Sequence, residues 1–244
     1  MSSTPAAHPQ PLAPTALQQT LAWGVHFYTG SGAVLAFAGT VAVLHADYRQ
    51  AFLWMAAATF IDATDGVLAR LARVKETLPA FDGGRLDDIV DYLTYVFLPI
   101  LLLYHAGYLP PAWGIPVAAA VLLSSGYGFA SADAKTTDDF FTGFPSYWNV
   151  VALYLYAAAL PRPVNAAILV AFAVLVFVRI GYVYPSRTPV LRGLTVALGV
   201  IWGGMVLALI FALPAVSYWL LIGSLFFPVY YAVLSIWLHS RRAA

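Results

Sequence analysis

From residue 22 onward, long apolar stretches alternate with short polar or proline-marked breaks. The stretches run at about 22–45, 50–71, 84–107, 114–133, 147–160, 164–183, 191–213 and 217–238. Most approach roughly 20 residues, the length at which a helix crosses a hydrocarbon core of ~30 Å. The breaks carry helix-stopping residues: Leu109-Pro110-Pro111, Pro161-Arg162-Pro163, and Pro185 to Pro189. The fifth stretch is short, with Pro145 near its start. This pattern predicts an all-α polytopic membrane protein of about eight transmembrane helices. Residues 21–244 read as a single transmembrane domain without internal repeats. Residues 1–20, with Pro5, Pro9, Pro11 and Pro14 among Ala, Gln and Ser, read as a flexible N-terminal tail. They hold no Lys or Arg, so the basic start of a cleavable signal is missing.

Composition narrows the class. Hydrophobic residues make up 61% and charged residues 9%, against about a quarter charged in a soluble domain. A net charge of +1 gives no reason to expect a nucleic-acid partner, and the absence of cysteine excludes disulfides and thiolate chemistry. With both termini inside, ten basic residues face the cytoplasm (Arg70, Arg73, Lys75, Arg85, Lys135, Arg179, Arg187, Arg192, Arg241, Arg242) and only Arg49 and Arg162 face out. That asymmetry predicts a multi-pass protein of a cytoplasmic membrane, with both termini and the loop between the second and third stretches on the cytoplasmic side.

Four aspartates break the apolar pattern. They lie in Asp62-Ala-Thr-Asp65-Gly66-Val-Leu-Ala69-Arg70 and, after twelve residues, in Gly83-Gly-Arg-Leu-Asp87-Asp-Ile-Val-Asp91. An ionised carboxylate at the middle of a bilayer costs ~2.5–3.5 kcal/mol even on the lenient insertion scale. Residues three and four apart share a helix face. Asp62, Asp65, Gly66, Ala69 and Arg70 therefore form one stripe, and Gly83, Asp87 and Asp91 form another. Two antiparallel neighbouring helices can turn these stripes toward each other, giving a cytoplasmic-side site between the second and third helices. An all-oxygen acidic cavity suits hard divalent cations such as Mg2+ with substrate phosphates. Gly66 and Gly83 leave room for close approach, and Arg70 offers a planar fork to phosphate. A diphosphate substrate fits these parts. Asp82 and Asp88, with Arg85 near, read instead as caps and ion-pair partners.

These residues match the CDP-alcohol phosphotransferase signature, D-x2-D-G-x2-A-R, a spacer, then G-x3-D-x3-D, and the chain resembles that family at every fixed position. The spacer is longer than in most of the family and is similar to that of the bacterial phosphatidylcholine synthase branch. So are the segments Trp23-Gly-Val-His26 to Ser31-Gly32, Phe141-Thr-Gly143-Phe-Pro145-Ser-Tyr147-Trp148-Asn149, and Tyr184-Pro185-Ser-Arg187. The resemblance covers most of residues 22–192. It implies transfer from CDP-diacylglycerol to choline, giving phosphatidylcholine and CMP. It implies that Asp62, Asp65 and Asp87 ligate two Mg2+ or Mn2+ ions, with Asp91 near the second and acting as general base. It implies a nucleotide pocket of Gly66, Ala69, Arg70 and Gly83, joined by His26, Thr29 and Ser31, and a homodimer among membrane lipids. A quaternary ammonium acceptor is usually held on aromatic faces; Tyr92, Tyr95, Phe141, Tyr147 and Trp148 are the candidates.

Other readings remain open from the residues. The acceptor could be serine, inositol phosphate or glycerol phosphate, with Arg73, Lys75 and Arg85 serving a phosphorylated one. An intramembrane prenyltransferase would repeat its acidic motif on a second helix pair, and no second copy is found. A divalent-cation transporter would spread acids through the membrane depth, yet after Asp91 the stretches hold only Asp133, near a loop. The acidic loop Lys135-Thr-Thr-Asp138-Asp139 reads as a solvated segment. Arg187 and Arg192 read as orientation charges or lipid-phosphate contacts.

Overall fold

The computed structural model describes residues 13–131, 140–185 and 188–242. Asp133, the loop Lys135–Asp139, Arg187 and most of the N-terminal tail lie outside the described residues. The first helix, α1 (Ala16–Leu44), starts earlier than residue 22 because Thr15 and Gln18 form a reciprocal capping box. Next come α2 (Tyr48–Leu71), capped by Asp47, and a single-turn helix α3 (Val74–Thr77). Helix α4 (Gly83–Asp91) runs through a π-helical turn (Tyr92–Phe97) into α5 (Leu98–His105). The remaining helices are α6 (Gly114–Ala130), α7 (Trp148–Ala158), α8 (Arg162–Leu175), α9 (Arg192–Ala212), α10 (Tyr218–Ser224) and α11 (Phe226–Arg242).

Among the described residues, four helical stretches are long and apolar enough to cross a membrane: Ala16–Leu44, Tyr48–Leu71, Arg192–Ala212 and Tyr218–Arg241. Helices α6, α7 and α8 are shorter apolar helices. The expectation of a purely α protein needs one correction. Strands β1 (Phe140–Thr142) and β2 (Gly181–Val183) form an antiparallel pair with Phe141 opposite Tyr182. The sixth apolar stretch hides this switch, since its residues stay apolar while its helix stops at Leu175. The Leu175 carbonyl accepts from Phe144 N–H at 3.0 Å, and Gly143 N–H donates to Ile180 O at 2.9 Å, tying the two strand-bearing segments together.

On α1, mostly small residues lie inside and large ones outside. Helix α1 buries Ala22, Thr29, Gly32, Ala36 and Gly39 along one face, while Phe27, Val34, Phe37 and Leu44 point outward. In water that order would waste apolar surface; in lipid, where packing rather than solvent exclusion joins helices, small residues let backbones approach. A Cβ on Gly32 would meet Val90 Cγ1 at 2.5 Å, and one on Gly39 would meet Leu98 Cδ2 at 2.5 Å. The two glycines thus seat α1 against α4 and α5, which brings His26 and Thr29 beside the acidic helices.

A second contact fixes the C-terminal end. Tyr231 O–H donates to Val183 O at 2.9 Å, Ser235 Oγ accepts from Val183 N–H at 3.1 Å, and His239 Nδ1 accepts from Gly181 N–H at 3.2 Å. Residues 231, 235 and 239 are spaced by four, so one stripe of α11 serves backbone groups of β2 that, among the described residues, have no strand neighbour on that side. Phe140, Val183, Leu234 and Leu238 form a small core beneath this clasp.

Candidate active site

Helices α2 and α4 converge as the spacing predicts. Asp62, Asp87 and Asp91, all partly buried, each offer an oxygen within 4.8 Å of the other two. Asp65 stands outside that trio. It is 7% exposed and accepts from Thr29 Oγ1 at 2.8 Å, so α1 orients it. Asp62 accepts from Tyr95 O–H at 2.8 Å through Oδ2. Tyr95 comes from the π-helical turn that begins immediately after Asp91, and such turns recur at functional sites. Donors that hold ligating groups fix their orientation and tune a bound metal. An all-carboxylate set of this kind fits a hard divalent cation.

Beside the trio lies a cleft of about 740 Å3. His26, Thr29, Gly66, Ala69, Arg70 and Gly83 line it together with Asp65 and Asp87. Ser31 does not join them; its hydroxyl donates to Tyr28 O at 2.6 Å. At Gly83 an added Cβ would lie 2.7 Å from His26 Cε1, so this glycine lets α4 start against α1. His26 is 6% exposed, its Nε2 has no hydrogen-bond partner among the described residues, and its ring packs on Phe81 at 4.3 Å. Asp82 caps α4 through Arg85 N–H at 3.1 Å and pairs with the Arg85 side chain, as a structural role requires.

The aromatic candidates separate into two groups. Tyr95 and Tyr147 stand together, 6.2 Å between ring centroids, and Tyr147 lies within Coulombic reach of both Asp62 and Asp91. The others are engaged elsewhere. Trp148 is fully buried, donates Nε1–H to Ser125 Oγ at 2.7 Å, and packs edge-on against Phe144. As a core anchor it is withdrawn from any acceptor pocket, because its ring fills the space under α7. Tyr92 O–H donates to Leu122 O at 2.9 Å, which directs it toward α6. Phe141 stacks on Tyr184 at 4.7 Å within the strand pair.

No family model matches the chain. Individual proteins match it over most of its length. It is 38% identical over 194 residues to a phosphatidylcholine synthase of Pseudomonas aeruginosa, covering 80% of this chain and 82% of that protein. It is 46% identical over 171 residues to one of Legionella pneumophila, covering 70% and 67%, and 35% identical over 205 residues to one of Rhizobium meliloti, covering 83% and 84%. The chain belongs to the phosphatidylcholine synthase family. Within this family member, the motif pointed neither to Phe81 nor to the tyrosines of β2 and α11, and it offered Arg73 and Lys75 only for a phosphorylated acceptor. The spacer between Arg70 and Gly83 is itself a wall of the cleft, contributing Arg73, Lys75 and Phe81; its unusual length was the signal. The tyrosines of β2 and α11 gave no signal, since tyrosine is frequent throughout the chain.

Proposed function

We propose that this chain is a divalent-metal-dependent phosphatidylcholine synthase of the bacterial cytoplasmic membrane, transferring a phosphatidyl group from CDP-diacylglycerol to choline and releasing CMP. The observation that carries the reading is the convergence of Asp62, Asp87 and Asp91 within 4.8 Å beside a cleft lined by Arg70. Asp62, Asp65, Asp87 and Asp91 would hold Mg2+ or Mn2+, two ions in all. Bound there, such ions would offset diphosphate charge and polarise the reacting phosphorus.

The chain's own residues bind, orient and move a proton. Arg70 presents its fork to the diphosphate, and Gly66 keeps the backbone open beside it, since a Cβ there would lie 3.4 Å from Arg70 Nη1. Gly83, Ala69, Thr29 and His26 complete the nucleotide wall. Asp91 accepts the proton of the choline hydroxyl. The oxygen so freed forms a bond to the phosphorus that carries diacylglycerol. The bond from that phosphorus to the bridging oxygen of CMP breaks, and CMP leaves with the electron pair. Tyr95 and Thr29 hold Asp62 and Asp65 in place meanwhile.

An unphosphorylated acceptor is favoured by where the basic residues lie. Arg73 and Lys75 line the nucleotide cleft, and exposed Arg85 pairs with Asp82 at 3.1 Å, so all three have other work. In the membrane, eight crossings with both termini cytoplasmic put the cleft on the cytoplasmic face, in line with the basic bias. The test is CMP release by purified protein with CDP-diacylglycerol and Mn2+, comparing choline, serine, glycerol 3-phosphate and inositol phosphate. Release with choline alone is expected; release with another acceptor and none with choline would discard the reading.

A further inference from the structure

We infer that Tyr231 of α11 is a specificity-determining residue for the acceptor, its ring joining those of Tyr95 and Tyr147 as a wall of the seat for the quaternary ammonium group. This rests on the proposed transfer to choline. The three rings form a connected series leading away from the carboxylates. Tyr95 is anchored to Asp62. The Tyr147 centroid is 6.2 Å from that of Tyr95 with planes at 53°, and 6.2 Å from that of Tyr231 with planes at 63°. Tyr147 and Tyr231 meet edge to face, which leaves a ring face uncovered by its neighbour, whereas parallel stacked rings cover one another. An ammonium group is attracted within about 6 Å of a ring centroid. Seated against Tyr147, it would also feel Asp62 and Asp91, whose charges reach that residue. The two-carbon arm of choline would then point its hydroxyl back toward Asp91.

The position of Tyr231 is fixed independently of any ligand. Its hydroxyl is committed to Val183 O, and its ring stacks on Tyr182 at 6.2 Å and 19°. The same hydroxyl also lies within hydrogen-bonding reach of Tyr147, which holds the two rings together at the distance given. A purely structural role for Tyr231 would make it one more peg of the α11–β2 clasp. Ser235 and His239 perform that task without entering the ring series, so the two roles can be separated by substitution.

The experiment uses the full-length protein in detergent with CDP-diacylglycerol and Mn2+, varying choline. Tyr231→Leu should raise the KM for choline about tenfold, the loss expected for one cation–π face, while the KM for CDP-diacylglycerol stays at the wild-type value. Tyr231→Phe, which keeps the face and loses the clasp bond, should retain the wild-type choline KM, and so should Ser235→Ala. If Tyr231→Leu does not fold, Tyr231→Met serves as the faceless variant. An unchanged choline KM in the Leu or Met variant overturns the inference. A rise in Tyr231→Phe or Ser235→Ala equal to that in Leu also overturns it, since the clasp would then be the cause. Wild-type protein that releases no CMP with choline overturns the transferase reading and this inference with it; an active wild type with an indifferent Tyr231 overturns this inference alone.

Discussion

Asp91 closes α4 at the point where the backbone widens into the π-helical turn. In an unbroken α-helix Tyr95 would stand one turn beyond Asp91 on nearly the same face. The wider turn rotates the residues after Asp91, and the Tyr95 hydroxyl meets Asp62 on the neighbouring helix. Asp62 is thus held, and in the proposed mechanism Asp91 serves the acceptor. Asp91→Asn should lower turnover by at least about 10²-fold, the scale of a lost general base, with CDP-diacylglycerol still bound. Wild-type rates in that variant would remove Asp91 from the base role. Arg70→Lys should weaken apparent affinity for CDP-diacylglycerol several-fold, because a point charge cannot replace a planar fork; equal titration curves for the two proteins would refute this. The acids were legible in sequence because carboxylates are costly in an apolar helix. Thr29 and Tyr95 were legible only as candidates, and the bonds that give them their tasks span 36 and 33 residues of chain.

Among the elements, α2 and α4 were readable from apolar length and motif spacing, whereas α1 was read only from residue 22 because its capping box at Thr15 and Gln18 precedes the apolar run. The strand pair was not readable, since Gly181-Tyr-Val continues an apolar run that a helix would carry equally well. Local backbone geometry enforces the strand pair. Gly143 has φ +79°, and a Cβ there would collide with the Val176 carbonyl oxygen. Gly143→Ala should therefore destabilise the strand pair by about 2 kcal/mol or more. In a detergent melt this reads as a lower Tm; an unaltered melt would contradict the role given to this turn. Gly83→Ala tests the opposite end. A methyl group 2.7 Å from the His26 ring must push α4 or His26 aside, and nucleotide affinity should fall with little change in the choline KM. A normal affinity for CDP-diacylglycerol would show that the cleft tolerates the shift.

Across the molecule, the large apolar residues that α1 turns outward fit a lipid surround, and the proposed orientation rests on the bias of the basic residues. The absence of cysteine makes this testable by labelling. A single cysteine at Ala46, in the turn between α1 and α2, should react with a membrane-impermeant maleimide added outside intact spheroplasts. One at Lys75, on α3, should react only after lysis. The reverse pattern would turn the cleft to the wrong side of the membrane for a cytoplasmic nucleotide. Everything turns on the aspartate site joining choline to the phosphatidyl group as CMP departs. To test it, labelled choline entering phosphatidylcholine and CMP released are measured in the same reaction, before and after metal removal by EDTA. Equal amounts of both products, loss of both in EDTA, and recovery of both on adding Mn2+ are expected. Full activity after exhaustive metal removal, or labelled lipid formed without CMP, would refute the aspartate-centred transfer.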